Sequence, residues 1–282
     1  MLKQILHLMR IKHYIKNILI LVPLFFSQQL MNMEKLIPTL WGMLSFCLIS
    51  SSVYIINDIF DIEKDRLHPT KKYRPLASGA VKISVAVFLF VFCIGIALFI
   101  NFMYFWGSSI WLIIYLILNV AYSLNLKNRP IIDVAILASG FLIRIIYGAS
   151  LTFTYISEWL YLTVISGALY LGLGKRRNEL QKQGAEGITR NVLKQYNYNF
   201  LDKNMYICLA LTDCFYALWA IDRETPMLVW SVPMVILIFM KYSLDIENNS
   251  DGDPVEVILS DKILTILCLG YIIYTVGILY FM

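Results

Sequence analysis

Residues 83–126 read ISVAVFLFVFCIGIALFINFMYFWGSSIWLIIYLILNVAYSLNL, 44 positions without one charged side chain. A helix crosses the ~30 Å hydrocarbon layer of a bilayer with roughly 20 apolar residues, so this run is too long for a single crossing. It must be a hairpin of two spanning helices. Polar and small residues at Asn101 and at Gly107, Ser108 and Ser109 place its break at the interface. The whole chain agrees: of its 282 residues 59% are apolar and 15% are charged, a balance that excludes a soluble globular domain.

Outward from the hairpin, further apolar runs cover residues 17–30, 36–57, 131–153, 159–174, 204–221, 227–240 and 263–282. With the hairpin they predict an all-α membrane protein, a bundle of about nine transmembrane helices forming a single polytopic domain over 1–282. The first run contains Pro23 and lacks a small-residue cleavage pattern, so it is expected to remain as a helix and not to be removed as a signal peptide.

Of the 24 Lys and Arg residues, 21 fall in segments 1–16, 58–82, 127–129, 175–203 and 241–262. The alternate loops hold only Lys35 and Arg223, and Arg144 lies inside an apolar run. The positive-inside rule then sets the N-terminus in the cytoplasm and the C-terminus outside, in a multi-pass plasma-membrane protein. The five cysteines (47, 93, 208, 214 and 268) all sit in apolar runs without paired spacing, so neither a disulfide framework nor a metal motif is indicated. His7, His13 and His68 form no ligand set and no nucleophile–base pair with a serine.

The chemistry is concentrated in Asn57-Asp58-Ile59-Phe60-Asp61-Ile62-Glu63-Lys64-Asp65. Its aspartates recur at i, i+3 and i+7, on one face of a helix continuing from residues 36–57. Such carboxylates repel one another unless a cation sits among them, and hard oxygen donors suit Mg²⁺ completed by water and substrate phosphate. The plainer account is a solvated acidic helix end offset by Lys64, Arg66, Lys71, Lys72 and Arg74. Arg144, deep in its apolar run, costs a few kcal/mol or more unless it faces a polar surrounding. Asp133, eleven positions earlier, shares its helical face at roughly 16 Å. Asp213 is another ionisable residue in an apolar run and matches no motif.

The stretch 57–65, continued by Arg66-Leu67-His68-Pro69-Thr70-Lys71-Lys72-Tyr73-Arg74-Pro75-Leu76-Ala77-Ser78-Gly79, resembles the first signature of the UbiA superfamily of intramembrane prenyltransferases. Within it the likeness is closer to the decaprenyl-phosphate phosphoribosyltransferases. That likeness is carried by Lys12-His13-Tyr14-Ile15-Lys16-Asn17, by Tyr122 to Lys127 running into Asp133, by Ala138 to Arg144, and by Gly174-Lys175-Arg176-Arg177-Asn178-Glu179. Ordinary members carry a second aspartate-rich motif after the sixth helix. This chain has Lys175, Arg176 and Arg177 there, and basic forks bind phosphate directly. Positive-inside charge alone would also place three basic residues in that loop.

The resemblance implies a UbiA-type bundle and Mg²⁺-dependent transfer of 5-phosphoribose from phosphoribosyl pyrophosphate to a polyprenyl phosphate. The alternative is a UbiA-type prenyltransferase with a prenyl pyrophosphate donor, and a transporter or lipid-binding protein is the rival from another class. It makes Asp58, Asp61 and Asp65 the catalytic metal ligands. Lys12, Lys16, Asn57, Arg66, Lys71, Arg74, Tyr122, Lys127, Asp133, Arg144, Lys175, Arg176, Arg177 and Glu179 become the substrate-binding residues. The membrane is the implied setting, a homo-oligomer is compatible, and no nucleic-acid partner is expected. Asp251-Gly252-Asp253-Pro254-Val255-Glu256 is similar to the family's acidic turn before the last helix.

Overall fold

A computed structural model describes residues 2–68, 70–186, 191–247 and 254–281, and among them every regular element is helical. Pro69 and the acidic turn up to Asp253 lie outside the described residues. A short helix α1 (Leu2–Leu8) and a 3-10 segment (Ile11–Leu21) lead into α2 (Val22–Phe26). Next come α3 (Met33–Phe60), α4 (Ile62–Leu67), α5 (Ile83–Tyr104), α6 (Ser109–Leu124) and α7 (Ile132–Thr152). The remainder is α8 (Glu158–Glu186), α9 (Tyr198–Ile221), α10 (Ser231–Glu247), α11 (Pro254–Ser260) and α12 (Lys262–Phe281).

Among the described residues, seven helices are long and apolar enough to cross a bilayer: α3, α5, α6, α7, α9, α10 and α12, two of them, α6 and α10, extended by adjoining turns. These correspond to seven of the nine expected spans. The expected span 17–30 takes the form of the 3-10 segment and α2, with Pro23 in the first turn of the latter. The span 159–174 is the apolar first half of α8, which continues through Lys175 to Glu186.

The hairpin forms as expected, but its turn is Phe105 to Ser108 and Asn101 stays inside α5. The reason is local. The buried Asn101 amide donates to the Ala97 carbonyl at 3.1 Å and its oxygen accepts from Tyr147 at 2.9 Å, so it needs no water. Serines are absorbed in the same way: Ser45 and Ser52 donate to carbonyls one turn back, at 3.1 Å in both cases.

The chain divides into two compact units, Met1–Lys127 with Ile143–Tyr155, and Asn128–Leu142 with Ile156–Met282. In the first, α3 packs along α5 and α6. Phe46, Ile49 and Val53 of α3 form its core with Leu112 and Tyr115 of α6 and Ile143, Tyr147 and Leu151 of α7. In the second, α8 packs along α9, and Tyr170, Leu173, Leu201, Met205, Tyr242 and Leu264 meet in its core. Lipid replaces water outside: on α5, Phe88, Val91, Phe92, Phe99 and Phe102 are all exposed, the pattern of a helix whose apolar side chains face acyl chains.

Gly148 marks a close backbone approach. A Cβ on Gly148 of α7 would lie 2.0 Å from the Ile20 carbonyl oxygen, a backbone atom that cannot step aside. One on Gly95 of α5 would meet nothing within 4 Å. Gly148→Ala is therefore expected to lower the melting temperature in detergent micelles, at about 1–3 kcal/mol for overpacking. Gly95→Ala should leave it unchanged or raise it.

Candidate active site

In the first unit the site grows from the end of α3. Asp61 breaks the helix at φ −99° and ψ 6°, and α4 resumes directly, so the aspartates lie on two nearly continuous helices. Asp58 is 3% and Asp65 5% exposed. Carboxylates so stripped of water need positive partners. Arg74 supplies one, its Nη1 lying 3.2 Å from Asp58 Oδ1 and 2.6 Å from Asp65 Oδ2. Arg10, which the sequence reading did not single out, donates to the same Asp58 Oδ1. Asp61 Oδ1 accepts from Lys127 Nζ at 2.6 Å, and Asn57 Oδ1 accepts from Ser123 of α6 at 3.2 Å.

The structure thus gathers Asn57, Asp58, Asp61, Asp65, Arg74 and Lys127 in one cluster, with Tyr122 half-buried on α6 nearby in sequence. Other expected residues are placed differently. Arg66 turns to Glu63 at 2.9 Å and to the Ala77 carbonyl at 3.3 Å. His68 Nδ1 accepts from the Lys71 N–H at 3.4 Å and from the Thr70 N–H at 3.3 Å, shaping the turn that carries the half-buried Lys71. Lys12 is exposed and Lys16 half-buried on the 3-10 segment. Arg144 is buried in the core of this unit: its Nε donates to Asn17 at 2.8 Å and its Nη2 to Tyr115 at 3.1 Å. Its guanidinium carbon lies 5.0 Å from the ring centres of Phe46 and Tyr115.

Among the described residues, no three His, Cys, Asp or Glu side chains stand close enough to hold a metal ion by themselves. Two carboxylates, Asp58 and Asp65, nevertheless converge on one cation, the Arg74 guanidinium. Their hard oxygens fit Mg²⁺, which commonly takes one or two carboxylates and completes its shell with water and phosphate.

In the second unit a different network forms. Asp133 at the start of α7 and Arg176 on α8 are both wholly inaccessible and pair at 2.5 Å. Tyr196 donates to the other Asp133 oxygen at 2.6 Å and accepts the Ile131 N–H at 2.6 Å. Burial, helped by the neighbouring carboxylate, pushes the Tyr196 phenol above its ordinary range. Arg176 also reaches Glu179 at 2.7 Å. Arg177 donates to Tyr198 at 2.6 Å and to Glu247 at 3.1 Å and pairs with Asp202 at 2.9 Å, while its buried Nη1 has no partner among the described residues. Lys175 is half-buried.

Arg10 and Tyr196 escaped the sequence reading for different reasons. Arg10 looks like one more topogenic cation among Lys3, Lys12 and Lys16, and Tyr196 is one of several aromatics in Tyr196-Asn197-Tyr198-Asn199. Asp213, on α9, is half-buried, and its Oδ1 has no hydrogen-bond partner among the described residues.

Residues 19–261 match the family model described as UbiA prenyltransferase family. A decaprenyl-phosphate phosphoribosyltransferase of Corynebacterium glutamicum is 31% identical over 288 residues, covering 97% of this chain and 86% of that protein. One from Mycolicibacterium smegmatis is 33% identical over 241 residues, covering 80% and 76%. Among solved structures, a UbiA homolog from Archaeoglobus fulgidus bound to GPP and Mg²⁺ superposes with a TM-score of 0.76 at 18% identity, over 98% of this chain and 99% of that one.

Removing one member of a wholly buried pair strands the other. Asp133→Ala is expected to cost about 3–5 kcal/mol of stability, and Asp133→Leu combined with Arg176→Met to recover most of it. Thermal unfolding of the three purified proteins checks this.

Proposed function

The chain belongs to the UbiA prenyltransferase family and is an enzyme of the phosphoribosyltransferase kind, and on that premise we propose that it transfers 5-phosphoribose from phosphoribosyl pyrophosphate to a polyprenyl phosphate. The C1–O bond to pyrophosphate breaks, an oxygen of the lipid phosphate bonds to C1, and pyrophosphate leaves. The observation that carries this reading is in the sequence, which has one aspartate-rich motif, Asp58, Asp61 and Asp65, and has basic Lys175, Arg176 and Arg177 where a second aspartate-rich motif would stand. A donor with a diphosphate and a further phosphate, and an acceptor that is itself a phosphate, call for one metal site and additional cations.

Asp58 and Asp65, with Asp61 beside them, would hold Mg²⁺, which would neutralise the pyrophosphate as charge builds on it. The chain's own residues do the rest. Arg74 and Lys127 offer their nitrogens to phosphate oxygens, and Asn57 fixes the end of α3 through Ser123. In the second unit, Arg176 is committed to Asp133 and Glu179, while Arg177 keeps one nitrogen, Nη1, outside its contacts with Tyr198, Asp202 and Glu247. The acceptor phosphate is already ionised at neutral pH, so positioning and charge neutralisation, and not proton abstraction, set the rate. The concentration of Lys and Arg in alternate loops supports a cytoplasmic site, where a soluble donor is available, in a plasma-membrane protein.

The purified protein with Mg²⁺, polyprenyl phosphate and labelled phosphoribosyl pyrophosphate is expected to carry label into the lipid phase. Asp58→Ala, or chelation of the metal, should lower that transfer by about 10²-fold or more. Turnover of a prenyl pyrophosphate with another acceptor, and none with phosphoribosyl pyrophosphate, would instead return the chain to the prenyl-transferring members of its family.

A further inference from the structure

Arg10 reaches the acidic cluster from a segment that the reaction above leaves unused. Its backbone is left-handed, φ 53° and ψ 48°, a region that a residue with a Cβ enters only when its surroundings impose it. They do so here. Leu8 is wholly buried, the Met9 carbonyl accepts from Ser51 Oγ at 2.9 Å, and the Arg10 carbonyl accepts from the His13 N–H at 2.8 Å. The turn aims the guanidinium across the Tyr54 ring, 4.8 Å from its centre, and onto Asp58 Oδ1.

That oxygen also takes Arg74, so one buried carboxylate oxygen is shared by two guanidiniums. With Lys127 on Asp61 and Arg74 on Asp65, the three carboxylates already face three positive charges. A divalent cation entering alone must push a guanidinium off Asp58 or add two charges to a cluster that is neutral without it, and burial makes either costly. A cation arriving with a diphosphate brings its own counter-charge, and a displaced guanidinium then finds phosphate oxygens, partners it can grip with two nitrogens.

We propose that Arg10 is a built-in counter-ion that makes metal and diphosphate bind together: it guards Asp58 against the metal alone and passes to the diphosphate when both arrive. This rests on the reading of the cluster as a metal–diphosphate site. Arg10 is thus a determinant of binding order, and its stacking on Tyr54 keeps the guanidinium within reach of either partner.

The test uses full-length protein in detergent, with Mn²⁺ as the metal, read by electron paramagnetic resonance, and inorganic pyrophosphate, read by calorimetry. Arg10→Met is expected to bind Mn²⁺ alone about ten-fold more tightly than the unaltered protein, the effect of removing one partly screened charge. With Mn²⁺ saturating, it should bind pyrophosphate about ten-fold more weakly, for loss of one charge-assisted contact. Arg10→Gln should behave alike, so whichever of the two melts cooperatively decides, and Arg10→Lys should stay near the unaltered protein. Unchanged or weaker Mn²⁺ binding by a folded charge-removing variant overturns the counter-ion. Absence of Mn²⁺ binding by all proteins, with or without pyrophosphate, overturns the metal–diphosphate reading itself and the counter-ion with it.

Discussion

A carboxylate that has lost nearly all its water must be given positive charge by the protein, and Asp58 takes it from two directions. Arg10 lies 48 positions before it in sequence and Arg74 16 positions after it. Satisfying one side chain therefore ties the N-terminal segment, the end of α3 and the loop beyond α4 to a single point. The second unit repeats the logic with Asp133 and Arg176, 43 positions apart and both inaccessible. Apolar packing is weakly directional, and lipid competes for the same surfaces, so it does not by itself choose among arrangements of helices. Paired charges choose, because a wrong arrangement leaves a bare ion in a medium that cannot solvate it.

Much of the fold was legible because membrane crossing is a length constraint. The uncharged run at 36–57 and the one ending the chain each required a helix and each has one, and the run at 83–126 required two and has α5 and α6. The sequence placed Asn101 in a turn because an amide reads as polar; the structure keeps it helical because Tyr147 and the Ala97 carbonyl serve it. The span at 17–30 was drawn from apolarity, which does not distinguish a 3-10 segment followed by a short helix from one long helix.

The candidate site was legible in part for a similar reason. Aspartates at i, i+3 and i+7 are visible in the chain because helical periodicity is local. Arg74 was among the neighbouring cations that the sequence offered and Lys127 among the expected site residues, but their pairing with particular aspartates, and the presence of Arg10, come from tertiary folding. The helical face shared by Asp133 and Arg144 was a sound geometric inference, yet the two serve different neighbourhoods: Asp133 answers Arg176, and Arg144 answers Asn17, Tyr115 and two aromatic rings. Periodicity tells which residues point the same way and does not tell what waits for them.

Ile131 carries a consequence of another kind. It is a β-branched residue with φ 67°, a backbone state it resists, and the hydroxyl that accepts its N–H belongs to Tyr196, 65 positions later. A ribosome adding about 5–20 residues per second needs several seconds to travel that distance. During that interval the N–H of Ile131 lacks its final acceptor, and the start of α7 lacks the contact that fixes it. The entrance to α7 is thus settled late in synthesis, after α8 has been made.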